Sequence, residues 1–594
     1  MEEQFRDLKI STGFPCEMTA KETENGVIEL SIRWEGHPDG DGTLRVDWEL
    51  PLVDMQFSWN PDGRFDRAIH PEWDTPTESM ISSSAPVWSY YNASGINRLT
   101  FALSDAKTRI KVQAGVKERG TLLIVRMSIP VDLYDRSRSY RVCLYRDTES
   151  VSFAEALRRV TAWWETGCGM KPMPVPDAAK EPLYSCWYSY HQTIKADEVE
   201  AECALAAQCG MKTVIVDDGW QTEDDKGGYA YCGDWEVAPE KIPDMKQHVA
   251  KIHAAGLKYM LWYSVPFVGR KSRHWEEFKD KILGVRTWWD TGILDPRYPS
   301  VREFIIQNYA AAVKNWDLDG LKLDFIDSFA YTPMPEPTPE MDYTSVEEAV
   351  ERLMTDVMKT LRAIKPDIMI EFRQHYIGPV MRTYGNMFRV LDCPGDPLSN
   401  RVGSIDLRLL SGNTAIHSDM LTWNNDDTKE SVALQLMSII FAVPQISVKI
   451  EQQNAENKAV LCFWLNFIRT HRDLLLEAPL EVESPQQLYP LVRAAKDHRS
   501  IIALYQEHLA VRLDPADSES IILNANYQKE MIVTSAAAVP AHVTVRDCMG
   551  NVVEERNMTL GVVNVIVVPA CGIVEIKKYT GGYRTDRKAV NGVK

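Results

Sequence analysis

The chain has 594 residues, with 66 Lys+Arg against 84 Asp+Glu for a formal net charge of −18, and is 45 % hydrophobic and 25 % charged. That is globular composition with length for a barrel-sized core and satellites, and it excludes collagen, coiled-coil and disordered classes. The acidic balance argues against nucleic acid or an anionic membrane as the main partner, because both select for basic surface.

The N-terminus, MEEQFRDLKISTGF, lacks a basic segment followed by an apolar core and does not read as a secretory signal. The following residues, to about 175, alternate apolar and polar positions in short runs such as GVIELSIRW, RIKVQAGV and TLLIVRMSIPV. Turn chemistry (HPDGDG, NPDG) separates the runs, which is the pattern of a β-sandwich. A helix is expected over 152–166, followed by a Pro-rich connector, MKPMPVPDAAKEP, that marks a domain boundary.

From residue 183 the texture changes to short apolar strands alternating with amphipathic helical stretches. Eight strands are expected: 183–190, 212–218, 257–264, 320–326, 368–373, 387–392, 414–419 and 445–450. Eight such units in this length give a (β/α)8 barrel. The most apolar late stretch, 434–450, contains Pro444 and Gln445 and is too short to span a bilayer. After about 480 short alternating runs return as a smaller β domain, and the polar segment 581–594 is expected to fray. The domains are therefore 1–175, 176–475 and 476–594. The 11 cysteines show no paired spacing and no zinc-type cluster, so reduced thiols in a cytoplasmic protein are expected.

In such barrels the reactive groups sit at the C-terminal ends of the strands. There the sequence places Asp217 and Asp218, Trp262, Lys322 and Asp324, Glu371 and Arg373, Arg389 and Asp392, and His417 and Asp419. Lys322 and Asp324 are two apart, so their side chains leave one face of the strand, and the ammonium favours an ionised Asp324. Asp392 stands two strands further round. Two carboxylates about 5 Å apart across a sugar would make a retaining glycosidase, and about 6.5–9.5 Å an inverting one. Trp187, Trp220, Trp235 and Trp262 lie near strand ends, where indoles can stack on a pyranose. Each feature also has a structural reading: an ion pair at the rim, a loop cap at Asp217-Asp218, a helix cap at Asp392, barrel-wall support at His417 and Asp419, or core packing by the tryptophans. A metal-dependent sugar isomerase would need several ligands at strand ends, and only His417 is well placed.

At VDDGW (216–220), GDWEV with PDM (233–245), DGLKLDF (319–325) and FRVLDCPGDPLSNR followed by DLRLLSGNTAIHSDML (388–421), the sequence resembles the GH36, melibiase-like α-galactosidases. The resemblance implies an α/β protein: a central (β/α)8 TIM barrel, an N-terminal β-supersandwich and a C-terminal antiparallel β-sandwich. It implies a retaining exo-α-galactosidase acting on terminal α-D-galactosides of raffinose or melibiose type. Asp324 is then the nucleophile and Asp392 the acid/base, whose pKa the pocket should raise relative to Asp324. Asp217 and Asp218 would take the O4 and O6 hydroxyls, Lys322 and Arg389 further hydroxyls, and Trp187, Trp220 and Trp262 would form walls. No cofactor or metal is needed, the partner is a small carbohydrate, and a homo-oligomer is in keeping with the family. Two departures stand out. The segment after the fifth strand, EFRQHYIGP, lacks the Cys-containing loop of many relatives, and its Arg373 would bring a cation near the nucleophile, as an anionic or modified sugar would want. The Arg-x-x-Asp spacing also leaves Asp396 as a second candidate acid/base. A different α-glycoside, transglycosylation and a binding-only role are the alternatives.

Overall fold

The structure, a computed structural model, describes residues 1–23, 26–133 and 137–579; the segment 581–594 lies outside them. The chain forms two compact units. The first comprises Met1–Trp423, Phe441–Gln452 and Ser484–Leu488, and the second Asn424–Ile440, Gln453–Glu483 and Tyr489–Lys594.

The first unit opens with two six-stranded antiparallel sheets packed face to face. The alternation seen in the sequence builds them: in Thr43–Pro51 the residues Leu44, Val46 and Trp48 point inward, as do Ile28, Leu30 and Ile32 in Ile28–Arg33. Both sets join one core, which is what a period of two on each strand requires. The expected helix follows as Phe153–Ala162, its first turn capped by the Ser152 side chain, which accepts from the Glu155 N–H.

The barrel strands are β1 (Leu183–Ser185), β2 (Thr213–Val216), β3 (Lys258–Ser264), β4 (Gly320–Asp324), β5 (Met369–Arg373), β6 (Met387–Arg389), β7 (Ala415–His417) and β8 (Gln445–Ile446). They form one parallel sheet in which β8 returns to pair with β1. Isolated parallel bridges His417↔Val443 and Leu421↔Ile446 close the remaining seam. All eight expected strands are present, each shorter than its apolar run. In β1, β4, β6 and β8 the missing residues are the last of the run, which leave the sheet at the mouth; β2 and β7 are trimmed at both ends, and β3 and β5 lose only their first residue.

The Pro-rich connector is more than a boundary. Val175, Ala178 and Ala179 pack with Leu183, Ile215, Met260, Met369, Met387 and Ala415 and seal the barrel floor. Between β3 and β4 the chain adds a small antiparallel sheet of Phe267–Gly269, Ile282–Arg286 and Thr291–Leu294.

The second unit carries helices Lys429–Ser438 and Ala455–Thr470, a seven-stranded sheet and a three-stranded sheet. Pairing is antiparallel except for Arg499–Leu504 with Glu519–Asn524 and Ala510–Arg512 with Glu530–Thr534, which run parallel. Nine cysteines are free, whereas Cys209 and Cys462 are disulfide-bonded, a departure from the fully reduced set expected. Among the described residues no helix is long and apolar enough to cross a membrane.

Gly320 opens β4 where a Cβ would lie 2.5 Å from the Met369 carbonyl oxygen. Gly320→Ala is therefore expected to cost about 1–3 kcal/mol through strain at the β4–β5 seam, read as a Tm a few degrees lower by calorimetry. An unchanged Tm would mean that the seam yields freely.

Candidate active site

The end of β2 carries Asp217-Asp218-Gly219. Gly219 has φ +111° and a Cβ there would lie 2.5 Å from Gln192 Cα, so only glycine allows this approach. The Lys241 ammonium pins the contact, donating to the carbonyls of Gln192 (2.5 Å) and Gly219 (3.0 Å). The result is a cradle for Asp218, whose two oxygens accept from Gln192 Nε2 and Gln221 Nε2, each at 2.6 Å. Burial pushes the Asp218 carboxyl up to about 6. Asp217 accepts from Lys322 Nζ at 2.6 Å.

Asp324 ends β4, and the next residue, Phe325, takes a left-handed conformation (φ +64°) that turns the chain outward at once. Its Oδ1 accepts from Arg373 Nε (2.6 Å) and the Phe325 N–H (2.7 Å), with the Tyr376 hydroxyl at 3.4 Å. Oδ2 accepts, among the described residues, only from Trp262 Nε1, at 3.2 Å. Burial alone would raise this carboxyl; Arg373 first, then Lys322 and Arg389, hold it well below the ordinary carboxylate range. The group is a fixed, ionised carboxylate with one lightly engaged oxygen.

Arg373 extends from β5 between the rings of Phe325 and Tyr376. Besides Asp324 it donates to Asp327 (3.1 Å) and to the Gln374 carbonyl (2.7 Å). Arg389, from β6, is fully buried, and its Nη1 donates to Asp392 (2.7 Å) and Asp419 (2.6 Å). Its Nε faces Glu371 Oε1 at 3.7 Å, and neither of those two atoms has a hydrogen-bond partner. Burial drives Glu371 up to about 7 against the pull of Lys322 and Arg389.

Asp392 lies just past the end of β6 with its side chain 52 % exposed. Burial pushes it up, but Arg389 and then Lys322 outweigh burial, so its carboxyl lies below the ordinary value. Asp396 is the N-cap of helix Pro397–Leu410, accepting from the N–H groups of Leu398 and Ser399. Asp396, rather than Asp392, is therefore the aspartate of the segment that caps the helix.

The aromatic residues divide. Trp187 is half-buried, edge-on to the His191 ring at 4.7 Å. Trp262 is itself fully buried and stands as a wall against Asp324, to which its indole donates. Trp220 stands behind that wall, fully buried, its indole donating to the Trp262 carbonyl and its ring stacked on Trp235. It has no free face for a ligand. His417 is buried and hydrogen-bonds to the Ala179 carbonyl on the connector, as wall support.

Sequence reasoning passed over four residues that position these groups. Gln192 and Gln221 hold Asp218; Tyr376 backs Asp324; and Tyr188 donates to Asp419 at 3.0 Å. Only Gln221 carried a signal, three residues beyond Asp218 in the same turn. Among the described residues no group of three or more His, Cys, Asp or Glu is arranged to hold a metal ion.

Residues 178–375 match the Melibiase family model. The chain is 25 % identical over 172 residues to the probable α-galactosidase G of Emericella nidulans, covering 26 % of this chain and 23 % of that one. It is 27 % identical over 112 residues to α-galactosidase Mel36A of Lactobacillus acidophilus, covering 18 % and 15 %. The matched stretches thus span less than a quarter of either curated relative. A variant of the GH36 α-galactosidase AgaA of Geobacillus stearothermophilus, in complex with raffinose, superposes with a TM-score of 0.65 at 15 % identity over 96 % of this chain and 81 % of that one. The fold is that of barrel glycoside hydrolases flanked by β domains. Within that class, residues 178–375 carry the Melibiase match, and the chain is similar to the GH36 α-galactosidases.

Glu371 supplies a pH test of the cluster. Its folded carboxyl sits above its unfolded value, so the stability it contributes is complete below the unfolded pKa and is lost as pH rises through about 7. The wild-type Tm should fall across that window, and Glu371→Gln should flatten the fall. Parallel Tm-against-pH curves for the two proteins would refute the assignment.

Proposed function

We propose that the chain is a retaining exo-α-galactosidase acting on terminal α-D-galactosides of raffinose or melibiose type. The observation that carries this reading is Asp324: ionised by three neighbouring cations, oriented through Oδ1, and left with Oδ2 lightly engaged by the Trp262 indole. A carboxylate so held is a nucleophile at rest. Oδ2 attacks the anomeric carbon as the glycosidic C–O bond breaks, and Asp392 gives its proton to the leaving oxygen. Asp392 then takes a proton from water, whose oxygen displaces Asp324 from the anomeric carbon. Asp217 and Asp218 accept from hydroxyls on the far edge of the sugar, and Lys322 donates to one of them. That far-edge pair corresponds to the O4 and O6 hydroxyls of galactose in the family.

Arg373 supports a neutral sugar. Its donors are directed at Asp324, Asp327 and the Gln374 carbonyl, so a carboxylate on the substrate would meet two aspartates before it met a free N–H. The ligand-free state of Asp392 has a further consequence. Because Arg389 holds its pKa below the ordinary value, the protonated fraction falls with rising pH, and kcat/KM should be greatest on the acid side of neutrality.

The test is hydrolysis of aryl α-galactoside, α-N-acetylgalactosaminide, α-glucoside and α-galacturonide, with Asp324→Asn in parallel. The galactoside should be turned over and the variant should lose about 10³-fold or more while staying folded. Silence across the panel, or an active Asp324→Asn, would overturn the reading. Asp392→Ala should slow raffinose far more than activated aryl galactosides and remove the alkaline limb of the pH profile; equal losses would refute the acid/base role.

A further inference from the structure

The Nη1 atom of the buried Arg389 faces more acceptors than it has hydrogens. Asp419 Oδ1 lies at 2.6 Å, Asp392 Oδ1 at 2.7 Å and the Val390 carbonyl at 3.0 Å, whereas a terminal guanidinium nitrogen has two hydrogens to give. The two carboxylates are rivals for one nitrogen, and they are held very unequally. Asp419 is buried, and its Oδ2 accepts from the Cys393 N–H (2.6 Å) and the Tyr188 hydroxyl (3.0 Å). Asn400 fixes its backbone from both sides, accepting from the Asp419 N–H at 2.9 Å and donating to the Asp419 carbonyl at 3.0 Å. Asp392, by contrast, is half-exposed.

A buried guanidinium left without an anion is strongly unfavourable. Were Asp392 its one partner, every protonation of Asp392 would create that state, and Arg389 would resist it. Asp419 removes the conflict, because it stays on Nη1 whichever form Asp392 takes. Three donors converge on its two oxygens, a pattern that favours the ionised carboxylate against the burial that raises it. Glu371 is a poor substitute: its Oε1 stands 3.7 Å from Arg389 Nε, and burial lifts its carboxyl to about 7. Asp392 is also faced by Lys322 and Asp324 from β4 and by Tyr188 from the turn after β1. Asp419 is faced by Arg389, Asp392, Tyr188 and the Cys393 thiol.

We propose that Asp419 is the standing counter-ion of Arg389 and thereby a positioning residue for the acid/base, freeing Asp392 to carry a proton. Through the Cys393 N–H it also anchors the backbone beside Asp392. The inference rests on the glycosidase reading for the role of Asp392.

The test is Asp419→Asn in the full chain. With its rival neutral, Arg389 bears on Asp392 alone and keeps it ionised to lower pH. The alkaline limb of the kcat profile for melibiose should therefore move down by about one pH unit. An activated aryl α-galactoside, whose leaving group needs little help from an acid, should lose about twofold in kcat/KM at most. Tyr188→Phe, which removes one donor and keeps the charge of Asp419, should move the limb the same way by less. A limb that stays in place in both variants, or equal losses on both substrates, overturns the proposal. The sharing is also read without turnover, by calorimetry. Asp392→Asn and Asp419→Asn each leave Nη1 one carboxylate and the double variant leaves it neither, so the double variant should lose more Tm than the two single losses together. Additive losses overturn the shared counter-ion. A wild-type enzyme inert on galactosides overturns the catalytic reading, and a non-additive Tm cycle still upholds the sharing.

Discussion

The mouth of this barrel depends on three buried cations among seven carboxyl groups. Lys322, Arg373 and Arg389 stand on three successive strands, and each touches or faces two or more of Asp217, Asp324, Asp327, Glu371, Asp392 and Asp419. Asp218 is the exception, held by two amides and lifted by burial. An unpaired buried carboxylate is strongly unfavourable, so the cations decide which groups stay ionised. Asp324 and Asp392 are depressed by their cations, whereas burial outweighs the cations at Asp327, Glu371 and Asp419 and raises them.

The closed barrel makes this possible. Parallel strands buried on both faces read as near-continuous apolar runs, and the floor below the cations is entirely so: connector alanines, methionines from β3, β5 and β6, and Leu183, Ile215 and Ala415. The polar cluster sits above this layer, at the ends of strands whose backbones are fixed by neighbours on both sides. A doubly wound sheet would leave edge strands, and the ring of groups from β2 to β7 would not converge.

Much of this was legible in the sequence, for identifiable reasons. All eight strands show as apolar runs because burial on both faces leaves no other composition, and the charged residues that end those runs are the site itself. The sandwich strands show by alternation. What stayed hidden depends on contacts between distant segments. Nothing local marks Gln192 as the partner of Asp218, or Tyr188 as the partner of Asp419; both sit on the turn after β1 and reach groups far along the chain. The strand Val552–Leu560 carries little signal in the sequence because, lying at a sheet edge, it buries almost nothing and its side chains are mostly polar. Trp220 was misleading in the opposite sense: a tryptophan at a strand end reads as a wall, yet a second shell of aromatics covers it. Arg373 suggested an anionic ligand by type alone, and its neighbours Asp324 and Asp327 change the meaning.

The two reactive carboxyls of the proposed mechanism are held in opposite ways, and the difference follows from their tasks. A nucleophile must stay ionised and keep one orientation; Asp324 is buried, fixed by donors on both oxygens and depressed by three cations. An acid/base must exchange a proton twice in each turnover; Asp392 is half-exposed, lies past its strand and is held by the Arg389 side chain. That partner is shared with Asp419 through the same nitrogen and faces Glu371 through another. A cation divided among three carboxyls holds each less firmly than a private one would. A sugar lying over Asp392 would strip water from its exposed half and strengthen the case for the protonated form. The asymmetry between a fixed anion on β4 and a loosely held one beyond β6 is therefore set by how two arginines distribute their donors, Arg373 bearing on the nucleophile and Arg389 spread across the opposite rim.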